Sequence, residues 1–201
     1  MSVYRRQLVF YQRLPGAPAG GWSPPAEFEF RFVRPEELEA LHYPGGWLTL
    51  PDARRWLERG DSDMLAAIRD GRICSYLWVE RRTARIDFLD IHAPLPPGHT
   101  YISKVLVTPG WRRHGLAHSM YRVLAIREPD ATSHSACVTE NFPMHFLFSK
   151  MQWRIRLLIT SFRITGLKWH RIEYPSGGRA GVVLSARTAA SLLFSEEEAA
   201  L

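Results

Sequence analysis

The chain has 201 residues, of which 46% are hydrophobic and 12% aromatic, a composition typical of a globular protein. This length indicates one domain with a sizeable core. The formal net charge is +6, which favours an anionic ligand or partner. No apolar run reaches the ~20 residues that a membrane span needs, and the N-terminus lacks the apolar core of a signal peptide. We therefore expect a cytoplasmic protein with no membrane partner.

The N-terminal quarter is predicted to contain an extension, one strand and two helices. Residues 1–26 end in a Pro/Gly-rich connector and form the predicted N-terminal extension, whose first part fits a short helix or a strand. Alternation predicts a strand over Phe28–Val33. Pro35, followed by two acidic residues, predicts the start of a helix, and a second helix is predicted over Pro51–Arg59.

A hairpin and two further strands are predicted next. Met64–Ile68 and Ile73–Val79 flank an Asp-Gly turn and predict a β-hairpin. Ala84–Ile91 and the β-branched run Ile102–Thr108 predict two more strands. Cys74 and Cys137 fall in strand-like segments without metal-ligand spacing, so we expect buried free thiols and no metal site.

A basic loop rich in small residues follows the strand Ile102–Thr108. Apolar residues at helical spacing predict a helix from Leu116 that ends before Pro129. The first amides of a helix lack partners within it, and the helix dipole attracts anions there. Gly115 is small enough to let a phosphate approach the backbone, and the segment Arg112–His114 adds positive charge. The loop therefore predicts a pyrophosphate site, with tight packing of helix on sheet as the structural alternative.

The segment Val107–Ala117 resembles a known signature. It reads Val-x-Pro and then Arg112-x-x-Gly115-x-Ala117 at the head of a helix. This is similar to the acyl-CoA signature (Gln/Arg)-x-x-Gly-x-(Gly/Ala) of the GNAT superfamily of N-acetyltransferases. Val138–Asn141 and then Phe146–Trp153 resemble the family's next segment, a strand ending near Asn, a short helix and an aromatic pair. With two ordered matches, the chain is identified as a member of that superfamily.

The resemblance implies the fold class and the domain limits. It implies an α/β domain over residues 27–187, with a single mixed, mostly antiparallel central sheet, flanking helices and splayed central strands. Its last elements are predicted as a strand around Ser135–Val138, a helix over Pro143–Met151, and strands over Trp153–Thr160 and Ala180–Ser185. A turn at Ser176–Gly178 precedes the last strand, and a C-terminal tail, residues 188–201, is predicted to form a short helix.

The resemblance also implies a cofactor, acetyl-CoA or another acyl-CoA. The pantetheine arm would bind the exposed edge of the signature strand, and the pyrophosphate would bind amides at the start of the helix. Asn141 matches an Asn that often touches pantetheine, although capping the next helix is an alternative role. The implied cofactor-binding residues are Val105, Leu106, Val107, Arg112, Arg113, His114, Gly115, Leu116, Ala117 and Asn141.

Acyl transfer to an amine needs a deprotonated nucleophile, a polarised carbonyl and a protonated leaving thiolate. In the family a carboxylate or a water relay takes the amine proton. Counting back by twos from Val107 places Ser103 and Tyr101 on the face where some relatives carry that base. A tyrosine of ordinary pKa near 10 is better suited to ordering water. The candidate catalytic residues are Tyr101, Ser103 and Glu140, with Asp87, Asp90 and His92 as further candidates.

Two departures from the family pattern concern the leaving group. Phe148 stands where the family usually has an acid tyrosine, and Gln152 stands where it has glycine. Protonation by water or Ser149, catalysis dominated by proximity, and a fold retained without the standard activity all fit. The region between the first strand and the second helix usually helps to form the acceptor pocket, which here gives the candidates His42, Tyr43, Trp47 and Trp56.

We expect an N-acetyltransferase that transfers acetyl from acetyl-CoA to a primary amine of a small molecule or peptide by direct attack in a ternary complex. Residues 141–172 contain six Lys and Arg and no acidic residue. This segment fits a solvated basic face, a homodimer contact, or a surface for an anionic partner such as the CoA phosphates, an acyl carrier protein or nucleic acid. The likeness of Gly115–Ser119 to a run in the nodulation N-acyltransferases also suggests a donor bound to an acyl carrier protein, whereas no recognition motif supports nucleic acid. A non-catalytic acyl-CoA-binding module is the alternative from a different class.

Overall fold

A computed structural model describes residues 4–16, 22–164, 167–175, 179–183 and 193–194. In chain order the described strands and helices are β1 (Tyr4–Arg13), β2 (Glu29–Val33), α1 (Leu50–Glu58), β3 (Ser62–Arg69), β4 (Arg72–Glu80), β5 (Thr83–Ile86), β6 (Ile91–Pro94), β7 (His99–Val107), α2 (Leu116–Arg127), β8 (Thr132–Val138), α3 (Phe142–Lys150), β9 (Arg154–Ile164), β10 (Leu167–Glu173) and β11 (Arg179–Val183). Within these ranges, no helix is both long and apolar enough to cross a membrane.

The chain divides into two compact units. The first consists of Met1–Leu14, Thr83–Tyr101 and Thr132–Leu201, and the second of Pro15–Arg82 and Ile102–Ala131. Strand β7 therefore begins in the first unit and ends in the second. The predicted splaying apart of β7 and β8 stays a prediction.

The second unit is built on strands in the order β7-β4-β3-β2. β2 pairs antiparallel with β3, and β3 with β4, so the predicted hairpin is confirmed. Its turn residues Asp70 and Gly71 both have positive φ, as an Asp-Gly turn requires. The core of this unit contains the fully buried Tyr76 and Trp78 of β4, together with residues of β3 and α1.

The first unit contains strands in the order β11-β10-β9-β1-β8, and a separate pair β5-β6. Strand β1 lies between β9 and β8 and is antiparallel to both. Its Leu8 and Phe10 are fully buried and pack with Leu157 and Ile159 of β9. Part of the predicted extension therefore contributes an interior strand, while the boundaries at residues 26 and 187 stay predictions.

Two predicted elements differ from the observed ones. The single strand predicted over Ala84–Ile91 is a tight hairpin, β5 and β6, because Asp90 has a positive φ of 55° and the chain reverses there. The helix predicted from Pro35 is a 3₁₀ turn, Pro35–Glu37. The Glu37 carboxylate accepts a hydrogen bond from the Arg34 backbone N–H at 2.8 Å, which satisfies this short turn locally.

The C-terminal predictions are tested only in part. The strand predicted over Ala180–Ser185 is observed as β11, with its last two residues outside the described range. The turn Ser176–Gly178 and the helical tail from residue 188 also lie outside the described residues, apart from the buried Leu193 and Phe194. The two cysteines are buried and free, as predicted.

Candidate functional site

The end of β7 is anchored to β4 before the chain turns. The backbone N–H and the hydroxyl of Thr108 both donate to the carbonyl of Cys74, at 3.0 and 2.9 Å. A 3₁₀ turn, Pro109–Trp111, follows. The Trp111 ring packs edge-on against Phe28 at 5.4 Å and lies under the guanidinium of Arg69 at 5.1 Å. These contacts fix the start of the predicted loop.

The loop from Arg112 to Gly115 is exposed and tightly folded. Arg113 and Gly115 have positive φ values of 69° and 73°, which bend the backbone twice within four residues. Arg112 Nε donates to the Val107 carbonyl at 3.4 Å, and His114 Nδ1 lies 3.0 Å from the Arg112 carbonyl oxygen. Arg112 therefore braces the loop against the end of β7.

Helix α2 begins with open amides. Its N-cap is Gly115, and no side chain within the described residues caps the first turn. Apart from its chain neighbours, no described residue lies within 4 Å of the position that a Cβ atom on Gly115 would occupy, so the space beside the backbone is open there. Leu116, by contrast, is buried and holds the helix on the core. Open amides, a helix dipole and adjacent arginine charges fit an anionic pyrophosphate.

Strand β7 is irregular at Lys104, which has a positive φ of 47°. This is the geometry of a β-bulge, which interrupts the alternation of side chains. Ser103 contacts Glu80 of β4, and Leu106, three residues further on, packs against the core around Tyr76. Counting by twos along β7 therefore fails across Lys104.

The carbonyl groups that follow the bulge accept hydrogen bonds from two different elements. Ser75 Oγ of β4 donates to the Leu106 oxygen at 2.7 Å. The indole Nε1 of Trp47 donates to the Val105 oxygen at 3.4 Å. Trp47 is half exposed, and it comes from the loop that was predicted to line the acceptor pocket.

Ser103 has a partner that the sequence analysis missed. Its hydroxyl donates to Glu80 Oε1 at 2.5 Å, and the Glu80 carboxylate is fully buried. Glu80 was missed because it ends an apolar strand, where an acidic residue usually marks the start of a turn. The sequence pattern that could have indicated its burial is the alternation of Tyr76, Trp78 and Glu80 along β4, which places all three side chains on one face.

Comparison with known proteins shows the family. Residues 32–152, more than half of the chain, match the model of the acetyltransferase (GNAT) family. The chain belongs to the GNAT family. No curated protein matches it. The mixed sheet with few flanking helices confirms the predicted fold class.

Solved structures share this fold at low sequence identity. They include a Drosophila protein (16% identity, 82% of this chain and 52% of that one, TM-score 0.56). A putative GNAT acetyltransferase from Novosphingobium aromaticivorans matches with 16% identity over 79% and 64% of the two chains, TM-score 0.53. A GNAT-family acetyltransferase from Colwellia psychrerythraea matches with 12% identity over 81% and 57%, TM-score 0.55. The chain thus spans about half to two thirds of the length of these chains.

The other predicted catalytic residues of this GNAT chain lie in the first unit. Tyr101 is buried, and its ring stacks on Phe10 with centroids 6.0 Å apart. Glu140 is exposed in the turn before α3. Asn141 Oδ1 accepts a hydrogen bond from the Met144 amide at 3.4 Å, so its capping role is present. The further candidates Asp87, Asp90 and His92 are exposed on or beside the β5-β6 hairpin.

Phe148, at the position of the usual family acid, lies in an aromatic cluster of the first unit. It is fully buried, with ring centroids 4.5 Å from Tyr11 and 5.0 Å from Trp153. His145 Nε2 lies 3.1 Å from two backbone carbonyl oxygens, so Nε2 carries the ring proton and Nδ1 accepts. The Tyr11 hydroxyl therefore donates to His145 Nδ1, at 2.6 Å. Burial, and secondarily Cys137, raise the pKa of Tyr11 to about 12.

The predicted acceptor-pocket residues form part of an aromatic cluster in the second unit. Tyr43 stacks on Tyr76 with centroids 5.5 Å apart, and Tyr76 donates to the Gly45 carbonyl at 2.7 Å. Gly46 has a φ of 102°, and a Cβ there would meet Leu106 and Tyr76 at 3.0 Å. The loop therefore packs closely on β7 and β4, and His42 remains exposed.

Proposed function

We propose that this GNAT protein is an acyl-CoA-dependent N-acyltransferase that transfers an acetyl group from acetyl-CoA to a primary amine. The observation that carries the proposal is the exposed loop Arg112–Gly115 leading into the open N-terminus of α2, in a chain that matches the family model. A metabolite-sized amine or a peptide amine is the proposed acceptor, and a cytoplasmic location stays a prediction.

The chain's own residues suit the proposed cofactor. The amides of residues 113–117 would bind the pyrophosphate, with Arg112 bracing the loop and Arg113 and His114 adding charge. The backbone of Val105–Val107 would bind the pantetheine arm. Asn141 caps α3 through its Oδ1 atom, and its implied contact with pantetheine stays a prediction. Acetyl-CoA supplies a thioester whose carbonyl carbon accepts the amine.

Ser103 is the strongest of the three predicted catalytic residues because it is hydrogen-bonded to a buried carboxylate. Its hydroxyl proton already points to Glu80, so a lone pair on Ser103 Oγ can accept a proton from the attacking amine while Glu80 takes the hydroxyl proton. The new N–C bond forms, the C–S bond breaks and the thiolate leaves. Phe148 carries no proton to give, so water protonates the thiolate.

Tyr101 and Glu140 have secondary parts in this proposal. The Tyr101 ring is held against Phe10, so its hydroxyl would order water rather than act as the base. Glu140 is exposed, and it would serve only as an alternative base.

Acetyl-CoA binding tests the proposal directly. At about 100 times its Kd, a ligand adds roughly 2.7 kcal/mol of stability, which corresponds to a Tm rise of about 5–10 °C for a chain of this size. Gly115→Glu places a negative side chain in the open space beside the helix start and should abolish the rise. A wild-type protein whose Tm does not respond to acetyl-CoA would contradict the proposed function.

Gly60→Glu is the matched control. Gly60 has a φ of 66°, and beyond its chain neighbours a Cβ there would also meet no described residue within 4 Å. Both variants therefore carry the same backbone strain, roughly 1–2 kcal/mol, and the same added charge. Only Gly115→Glu should lose the response to acetyl-CoA. Equal loss in both variants would show that folding, not the cofactor site, was damaged.

A surface on α3 favours a second acyl donor, an acyl carrier protein. Phe142 and Phe146, one helical turn apart, are 74% and 73% exposed, and the exposed Lys150 follows at the same spacing. An apolar row that ends in a basic residue suits an acidic carrier protein. The alternative function is therefore acyl transfer from an acyl carrier protein. Phe142→Ser with Phe146→Ser should then reduce the rate with acyl carrier protein and leave the rate with acetyl-CoA unchanged.

A further inference from the structure

In the second unit, Lys104 lies next to the Ser103–Glu80 pair and contacts an aromatic surface. Its ammonium lies 4.4 Å from the centre of the Trp56 ring, a cation–π contact. The Trp56 ring packs edge-on against Trp78 at 5.4 Å. Trp78 lies two residues before Glu80 on the same face of β4, and Glu80 contacts Ser103, the neighbour of Lys104. These five residues form one continuous cluster.

The same face holds buried polar atoms that lack partners. Trp78 Nε1 and Ser62 Oγ are buried and have no hydrogen-bond partner among the described residues. Ser62 lies directly opposite Glu80 in the pairing of β3 with β4. Buried donors without partners are costly, and each one in a native structure calls for an explanation such as a functional role. Ser62 and Trp78 therefore bring two such donors to the face of the sheet that carries Glu80.

We propose that the amine acceptor carries a carboxylate, as an α-amino acid does, and that Lys104 recognises it. This inference rests on the proposed function. The amine would approach Ser103 and Glu80, and the carboxylate would bind the Lys104 ammonium. Ser103 and Lys104 are consecutive in β7, so the group that would accept the amine proton and the ammonium belong to neighbouring residues.

The bulge in β7 explains why the Lys104 side chain can reach the face of the sheet that carries Glu80. Because Lys104 has left-handed backbone geometry, its side chain departs from the alternation of β7 and reaches Trp56 of α1. The face then presents one positive and one negative group, which complements a zwitterion. Polycationic amines are disfavoured, because Lys104 repels a second positive charge near the reacting amine.

Matched acceptor pairs test the inference. We would compare glycine with glycinamide and phenylalanine with phenylalaninamide, using release of CoA from acetyl-CoA as the readout. The α-amino groups of glycinamide and phenylalaninamide are less basic than those of glycine and phenylalanine. The two amides should therefore react faster if no carboxylate site exists. We expect wild type to prefer each amino acid by about 10-fold or more in kcat/KM, the range of one hydrogen bond between charged groups. Equal rates, or a preference for the amides, would overturn the proposal.

Variants of Lys104 separate recognition from folding. Lys104→Met keeps the side-chain length and should remove the preference, mainly through a raised KM for the amino acids. Lys104→Arg should retain most of it. Arg72→Met is the control for net charge, because Arg72 is exposed at the turn between β3 and β4 and outside this cluster. A preference that survives in Lys104→Met, or that Arg72→Met also removes, would contradict the assignment.

A binding readout keeps this inference distinct from the proposed function. Trp56 and Trp78 belong to the cluster, so amino acid binding should change tryptophan fluorescence without any turnover. We expect phenylalanine to bind wild type at least 10-fold more tightly than its amide, with the difference lost in Lys104→Met. A failed Tm response to acetyl-CoA would refute the acyltransferase function alone, whereas equal binding of acid and amide would refute the acceptor class alone.

Discussion

Replacing Glu80 by Gln is the sharpest test of the proposed proton relay. The change keeps the shape of the side chain and removes the charge that accepts the 2.5 Å hydrogen bond from Ser103. A hydrogen bond to a charged group contributes about 1.5–3 kcal/mol, and a general base about 10²–10⁴-fold in rate. We therefore expect kcat to fall by at least ~100-fold. Burying the neutral amide should not lower the free energy of unfolding by more than ~1 kcal/mol, because a buried charge is itself costly.

The assay compares four proteins in a double-mutant cycle. Wild type, Glu80→Gln, Ser103→Ala and the double variant are assayed for CoA release, and each is checked for the Tm rise with acetyl-CoA. If Ser103 and Glu80 act as one unit, the double variant should be no slower than the worse single variant. Rates within threefold of wild type in Glu80→Gln, or losses that multiply in the double variant, would refute the relay. An unchanged Tm response to acetyl-CoA in all four proteins would show that cofactor binding does not depend on Ser103 or Glu80.

Two further predictions concern buried groups of the first unit. Tyr11→Phe removes the 2.6 Å hydrogen bond to His145 and should lower the free energy of unfolding by about 1 kcal/mol in urea denaturation, and no change would contradict the assigned bond. Burial, with contributions from His99 and Arg156, lowers the pKa of His134 from 6.5 to about 3. Between those values the unfolded chain binds a proton that the folded chain does not, so stability should fall as the pH falls, by up to roughly 1.4 kcal/mol per pH unit. His134→Asn should flatten this dependence, and equal slopes in the two proteins would contradict it.

The cofactor loop was predictable because its determinants are local. Pro109 and Gly110 end a strand, Gly115 opens a helix, and the arginines lie between them, so a short stretch of sequence specifies the geometry. Its one unforeseen feature, the positive φ of Arg113, is also local. The predicted hairpin around Asp70 and Gly71 was specified in the same way.

The Ser103–Glu80 pair was not predictable, since it depends on two non-local facts. The pairing of β7 with β4 joins residues 23 positions apart, and the bulge at Lys104 changes which residues of β7 share a face. A regular count by twos had grouped Ser103 with Val105 and Val107, and that count fails across Lys104. Likewise, nothing local shows that β1 inserts between β9 and β8, because its partners lie 120 or more positions away.

Phe148→Tyr tests whether the residue at the usual acid position has kept a catalytic environment. Phe148 is fully buried, its ring packs against those of Tyr11 and Trp153, and the Tyr11 hydroxyl already donates to His145. A new hydroxyl without a partner costs about 1–3 kcal/mol. We therefore expect a lower Tm and no gain in kcat.

The opposite outcome would be equally informative. A raised kcat with an unchanged Tm would mean that the position faces the leaving thiolate, and that water is not the proton source. Phe148→Leu, which also changes the ring packing but adds no hydroxyl, is the control. Its Tm should fall through lost packing, while its kcat stays at the wild-type value if the thiolate draws its proton from water.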